Sequence, residues 1–281
     1  MNIQEAFAYI LVNDEARNLL RDCPRQLQAN LELSDEDISL LSSLDSDKLA
    51  LMAEGGRSKR RNFLHRGLPS ALTAISLASR NHIVDEFLRA TALPVQSGNT
   101  NRTLTESREF VTFLNDLGSD RASEVIKTIA QFELSQLDLI ASKEASAWAL
   151  RAEESMLVLR RSSSGLALQR IGDVILGKHV LIAKYSYDVT SLVVGITNRL
   201  SSNVAALERR SAFVMSIKRA GRCQITVSRV GNKLACLLLG CKAPVSIDSL
   251  FGMSEFQSDT TSQILCQMLF NGVLLPTSVL T

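Results

Sequence analysis

Three histidines, His65, His82 and His179, are far apart in the sequence, and none stands in HExxH or a comparable metal-binding spacing. Of the five cysteines, Cys23 is isolated, and Cys223, Cys236, Cys241 and Cys266 show no paired CxxC spacing. They read as reduced thiols of a cytoplasmic protein, with Cys236 and Cys266 on apolar helical faces where Cys serves as a small core residue. No glycine-rich phosphate loop and no nucleophile elbow is present, so nucleotide binding and hydrolase chemistry have no warrant. Glu133 is a single acid on a helix rich in apolar residues, which suits a structural hydrogen bond or salt bridge better than catalysis. The expectation is a chain with no catalytic residue, no metal site and no cofactor of its own.

Two stretches suit binding rather than reaction. Arg57, Lys59, Arg60, Arg61 and Arg66 form a basic run. It is either a solvated helix face or, through Arg57, Arg61 and Arg66, a docking patch for an acidic surface. Farther on, Gln224, Thr226 and Ser228 alternate with Cys223, Ile225 and Val227 just after the turn Arg219-Ala220-Gly221-Arg222. If that strand is a free edge, its main-chain N–H and C=O groups can take a guest peptide as an added strand. Whether Ile225 or Thr226 turns its N–H to the guest depends on register.

The elements that hold these residues fall into two halves. Ile3, Phe7, Ile10 and Leu11 start a series of short helices; Asn13, Ser34 and Ser46 mark helix starts, and Pro24 fits a first turn. Gly55-Gly56 reads as a break. Residues 92–104, with Pro94, Ser97, Gly98 and Asn99, read as a loop, and helical periodicity returns with Phe110, Phe113 and Leu114 and again with Val125, Ile129 and Phe132 before fading near Trp148. Residues 1–158 are therefore read as an all-helical domain. In residues 159–281, Val180 to Tyr187 and Phe213 to Ile217 carry strand signals; Leu234 to Leu239, Ile247 to Phe251 and Asp259 to Asn271 carry helical ones, and Val273 to Leu275 is a short apolar strand. The fold class is α+β, a helical domain followed by a winged helix-turn-helix.

Composition narrows the function further. The 281 residues are 46% hydrophobic and 21% charged, enough for a sizeable core. Thirty-one Lys and Arg against 29 Asp and Glu leave a net charge of +2, too balanced for a protein that coats nucleic acid. Aromatic residues make up 5%, which disfavours base stacking. No apolar run approaches the ~20 residues of a membrane span, and Met1 to Leu11 lacks the basic flank of a signal peptide.

The order of several short motifs resembles a known group. Leu234 to Leu239, Gly240, Val245-Ser246-Ile247, Leu250-Phe251 and Gln267 to Leu274 resemble the three-helix end of precursor-peptide recognition elements, the winged-helix domains of ribosomal peptide natural-product pathways. Phe7 ahead of Arg17, Pro24, Leu33-Ser34-Asp35-Glu36, Leu44-Asp45, Lys59-Arg60-Arg61, Pro69, Phe110 to Leu114, Ile129 to Glu133 and His179 to Val189 resemble the helical partner subunits of multinuclear non-haem iron oxidases. The layout is similar to partners of the 3-thiaglutamate kind, with methanobactin-type partners related by role. The resemblance implies a non-catalytic subunit that forms a heterodimer with the oxidase, which holds the iron. Such a subunit binds the leader of a precursor peptide and presents its cysteine-bearing end for carbon excision. It also implies that the guest lies between the strand and the third helix, placing Gln224, Ile225, Thr226, Val227 and Ser228 beside Thr261, Leu265, Met268 and Leu269; Leu265 and Met268 are otherwise ordinary core. The alternative is a winged-helix transcriptional regulator, against which stands the absence of Lys and Arg from Asp259 to Asn271.

Overall fold

A computed structural model of the chain describes residues 1–91, 101–161, 168, 171–197, 210–221 and 224–279. The protein is α+β and mostly helical, with small antiparallel sheets. It forms two compact units, one of Met1–Ala130 and one that begins at Gln131.

The first unit is built from α1 (Ile3–Val12), α2 (Asp14–Asp22), α3 (Pro24–Leu31), α4 (Asp35–Ser42), α5 (Ser46–Gly67), α6 (Pro69–Leu77), α7 (His82–Ala90) and α8 (Arg102–Asp116), with the start of α9 (Glu124–Ala141). Local chemistry sets most of the ends. The Asn13 and Ser34 side chains accept N–H bonds from the first turns of α2 and α4, and Pro24 and Pro69 stand where a helix has no N–H to lose. The cap of α5 is Asp45, whose carboxylate accepts from the Asp47 and Lys48 N–H groups at 2.9 and 3.1 Å.

The break expected at Gly55-Gly56 does not occur, and α5 runs unbroken through both glycines. Each glycine costs a helix about 1 kcal/mol relative to alanine, and burial of Leu49 and Ala53 on one side and Leu64 on the other offsets that cost. Apolar residues of α1 to α5 close one core around Ile10, Leu20, Leu27 and Leu41. Phe87 of α7 and Phe110 of α8 meet edge to face with centroids 5.0 Å apart. The expected loop at 92–104 falls mostly outside the described residues, and α8 begins at its end.

In the second unit α10 (Lys143–Arg161) is a full helix where the sequence pattern fades. Two three-stranded antiparallel sheets follow. In the first, β1 (Asp173–Leu176) lies between β5 (Val245–Ser246) and β6 (Leu274–Pro276); in the second, β3 (Ala212–Lys218) lies between β2 (Val180–Tyr185) and β4 (Ile225–Val230). Helix α11 (Val189–Thr197) follows β2, and α12 (Asn232–Gly240), α13 (Ile247–Met253) and α14 (Ser258–Phe270) follow β4. Ser246 caps α13, and α14 ends at Gly272, whose φ of 67° lets the Val273 N–H reach back to the Met268 carbonyl at 2.8 Å.

The pleat sorts the β2-β3-β4 sheet into two apolar faces. Val180, Met215, Ile217 and Val230 join the core of α12 to α14, while Tyr185, Val214 and Val227 pack with Phe132 of α9 and Val189 of α11. Lys218, at the end of β3, is buried, and its Nζ donates to the Ile140 carbonyl at 2.6 Å, the Ser142 carbonyl at 3.1 Å and Ser146 Oγ at 2.6 Å. It thereby gives the Ile140 carbonyl, in the last turn of α9, a charged donor and adds one to the Ser142 carbonyl, which also accepts from Ser146 at the start of α10.

Candidate functional site

The alternating stretch forms β4, displaced slightly along the chain from the expected residues: Ile225 to Ser228 lie within it, Gln224 just precedes it, and Cys223 lies outside the described residues. Its register settles which main-chain groups face outward. The Lys218 N–H donates to the His179 carbonyl at 2.9 Å, so Lys218 is turned toward the β2 side. Successive residues of a strand turn to opposite sides, so Phe213, Met215 and Ile217 are turned toward β4. Their partners Val230, Ser228 and Thr226 therefore exchange the ladder bonds. The N–H and C=O groups of Ile225, Val227 and Arg229 point away from β3, and among the described residues no strand pairs with β4 on that side.

The side chains of this edge are unequal. Gln224 and Thr226 are exposed, and Ser228 and Ile225 are partly so. Val227 packs against the cluster of Phe132, Tyr185, Val189 and Val214, and Arg229 Nη1 bonds Asp188 Oδ2 at 2.9 Å. Asp188 also accepts from Thr190 Oγ1 at 2.6 Å and from Ser191. These hydrogen bonds, with Arg229, hold its carboxyl below the usual range against the opposing effect of burial. The strand is thus held on one face, while along its outer main chain no described strand is paired.

The expected α14 residues are all buried. Leu265, Met268 and Leu269 belong to the core, and Thr261 is buried with its hydroxyl on the Gln257 carbonyl and Ser254 Oγ. None of the four is exposed; Ser258, Asp259, Thr260, Gln263 and Gln267 are the exposed α14 positions.

The basic run is largely spent within the first unit. Arg57 bonds Asp14 at 2.8 Å and Glu54 at 3.2 Å, and Arg61 pairs with Asp85. Arg66 is exposed and makes no ion pair among the described residues. Arg60 is buried, its Nε on Glu106 Oε1 at 2.7 Å, its Nη1 on the Leu88 carbonyl at 3.2 Å and its Nη2 on Thr91 Oγ1 at 2.7 Å, with the guanidinium over the Phe87 ring. Burial pushes the Glu106 carboxyl up and Arg60 pulls it back. The one legible sign of this pair was that Glu106 stands one turn ahead of Phe110 and two ahead of Leu114, in phase with a buried stripe.

Of the remaining candidates, Glu133 is buried and engaged within the fold. Cys241 is buried, which pushes its thiol up to about 11; Cys236 is exposed on α12, not on the inward face its neighbours suggested. His179 is 1% exposed, and desolvation brings its pKa down to about 4. The Gly272 backbone favours the imidazolium slightly and Arg219 opposes it. Among the described residues neither ring nitrogen meets a partner in hydrogen-bond geometry, so desolvation governs. Among the described residues, no three His, Cys, Asp or Glu side chains converge as a metal group, and no helix is long and apolar enough to cross a membrane.

No protein-family model matches the chain, and no curated protein is similar to it.

Proposed function

We propose that the chain is a non-catalytic peptide-binding subunit that takes the leader of a ribosomally made precursor as an added strand on β4. It presents the precursor's cysteine-bearing end to a multinuclear iron oxidase that carries the metal and does the chemistry. The observation that carries this reading is the outward main chain of Ile225, Val227 and Arg229 at a sheet edge with no described neighbour. The order α12, β5, α13, α14, β6 supports a winged helix-turn-helix relationship, as in precursor recognition elements. With Leu265 and Met268 in the core, selectivity would come from the face of β4 that bears Thr226 and Ser228 and from the outward side of α14. A transcriptional regulator fits less well, because α14 has no Lys or Arg to meet phosphates.

The test is a pair of proline variants measured by calorimetry with synthetic leader peptides of ribosomally made precursors. Val227→Pro deletes an outward N–H and should abolish binding while costing the fold only the packing of Val227 on Phe132 and Val214. Thr226→Pro deletes an N–H that bonds β3 and should lower the unfolding temperature instead. Wild-type affinity in a folded Val227→Pro protein excludes strand addition at this edge.

A further inference from the structure

The outer face of α5 is covered by nothing among the described residues. Leu51 is 74% exposed and Met52 is 54% exposed, a pair of large apolar side chains on a helix whose other side is buried. Beside them Gly55 and Gly56 have no described atom within 4 Å of where a Cβ would stand, so packing among the described residues gives no reason for either. Lys59 and Arg66 are exposed and, unlike Arg57, Arg60 and Arg61, make no ion pair among the described residues. Asp45, Met52, Lys59 and Arg66 recur every seventh residue and so share one stripe. The stripe is charge-complementary to its own reverse: Met52 and Lys59 stand three residues either side of Gly55-Gly56, and Asp45 and Arg66 stand ten residues either side.

We propose that this face pairs with the same face of a second copy, the two α5 helices running antiparallel about a two-fold axis at Gly55-Gly56. In that register each Arg66 meets Asp45 of the other copy, and each Met52 lies along the aliphatic stem of Lys59. The glycines let the two backbones approach to about 8 Å, the close end of helix packing. Asp45 is available for this contact: Oδ1 caps α5, while Oδ2 has only Lys48 at 3.7 Å. One helix pair buries less than the ~1,200 Å² of a standard interface, so the dimer is a micromolar one. This self-pairing does not depend on peptide binding.

Sedimentation equilibrium of the full chain tests it. The wild type should shift from monomer to dimer across about 1 to 100 μM, bracketing a micromolar dissociation constant. Gly55→Gln with Gly56→Gln should give monomers at every concentration with an unchanged or raised unfolding temperature, because glutamine favours the helix and its bulk separates the two backbones. Asp45→Lys alone and Arg66→Glu alone each set like charges opposite one another and should be monomeric. An equimolar mixture should form a heterodimer, since the new cation meets the new anion across one half of the axis and native Arg66 meets native Asp45 across the other. A wild type monomeric throughout, a dimer that survives the glutamine pair, or a mixture that stays monomeric overturns the proposal.

Discussion

Acid should destabilise this protein through His179 before its carboxylates are exhausted. The imidazole is buried with its folded pKa down at about 4 from an ordinary 6.5, because the interior excludes the cation. Above pH 6.5 neither state binds the proton, and the stability associated with the neutral ring is complete. Between 6.5 and 4 the unfolded chain takes up a proton that the folded chain refuses, so stability falls with pH; below about 4 both are protonated and the loss levels off. At about 1.4 kcal/mol per pH unit, the loss across the window is about 3 kcal/mol, a large share of the roughly 5–15 kcal/mol that stabilises a domain. Asp and Glu titrations overlap the lower end, so the informative quantity is the difference between wild type and His179→Leu. Urea unfolding of both at pH 7.5, 6, 5 and 4.5 should show the wild type losing stability relative to the variant as pH falls, starting near 6.5. A difference that stays flat from pH 7.5 to 4.5 would refute desolvation as the state of this ring.

Three further outcomes are expected. The two partners of the buried Arg60 and Glu106 pair should be unequal in unfolding experiments: Glu106→Leu strands a guanidinium that cannot lose its charge and should cost about 3–5 kcal/mol, whereas after Arg60→Met the carboxyl can protonate, so the loss should be smaller and shrink further on acidification. Gly177→Ala would set a Cβ inside the van der Waals shell of the His179 ring and should cost about 1–3 kcal/mol by overpacking; in a His179→Ala background most of that penalty should vanish. Gly272→Ala should lower the thermal midpoint, since it forces a side chain to φ 67° and brings a Cβ to 3.2 Å from Ala152 Cβ and 3.3 Å from Met156 Sδ.

Features written in neighbouring residues were legible in the sequence. Asn13, Ser34 and Ser246 cap helices because a side-chain oxygen needs to reach only two or three residues, and Asn271-Gly272 stops α14 by a backbone conformation that glycine adopts freely. Features set by distant partners were not. Asp173–Leu176 is only four residues long, and its partners β5 and β6 lie far along the chain, so no local alternation marks it. Val189–Thr197 is rich in β-branched residues and favours a strand by propensity, yet it is a helix with Asp188 at its start accepting the Leu192 N–H on its carbonyl and the Ser191 N–H on its carboxylate. The Gly55-Gly56 break failed because a helix is judged locally but stabilised by packing on both sides of the glycines. At the candidate edge, alternation located the strand, but the outward direction of Val227 rested on one bond between Lys218 and His179, which register alone decides. For the same reason the inward phase of Leu265 and Met268 could be either a groove or a core until α14 had neighbours.

Lys218 has a consequence in the time domain. Its ammonium holds the end of α9, the start of α10 and the last residue of β3 through three oxygens at once. None of those elements can open at that corner without leaving a buried cation short of acceptors, so the amides there should exchange with solvent at one shared rate, as a single cooperative block. The β4 edge of the same sheet, where Ile225, Val227 and Arg229 turn their N–H groups outward with no described strand to accept them, should exchange fast until a strand is laid along it.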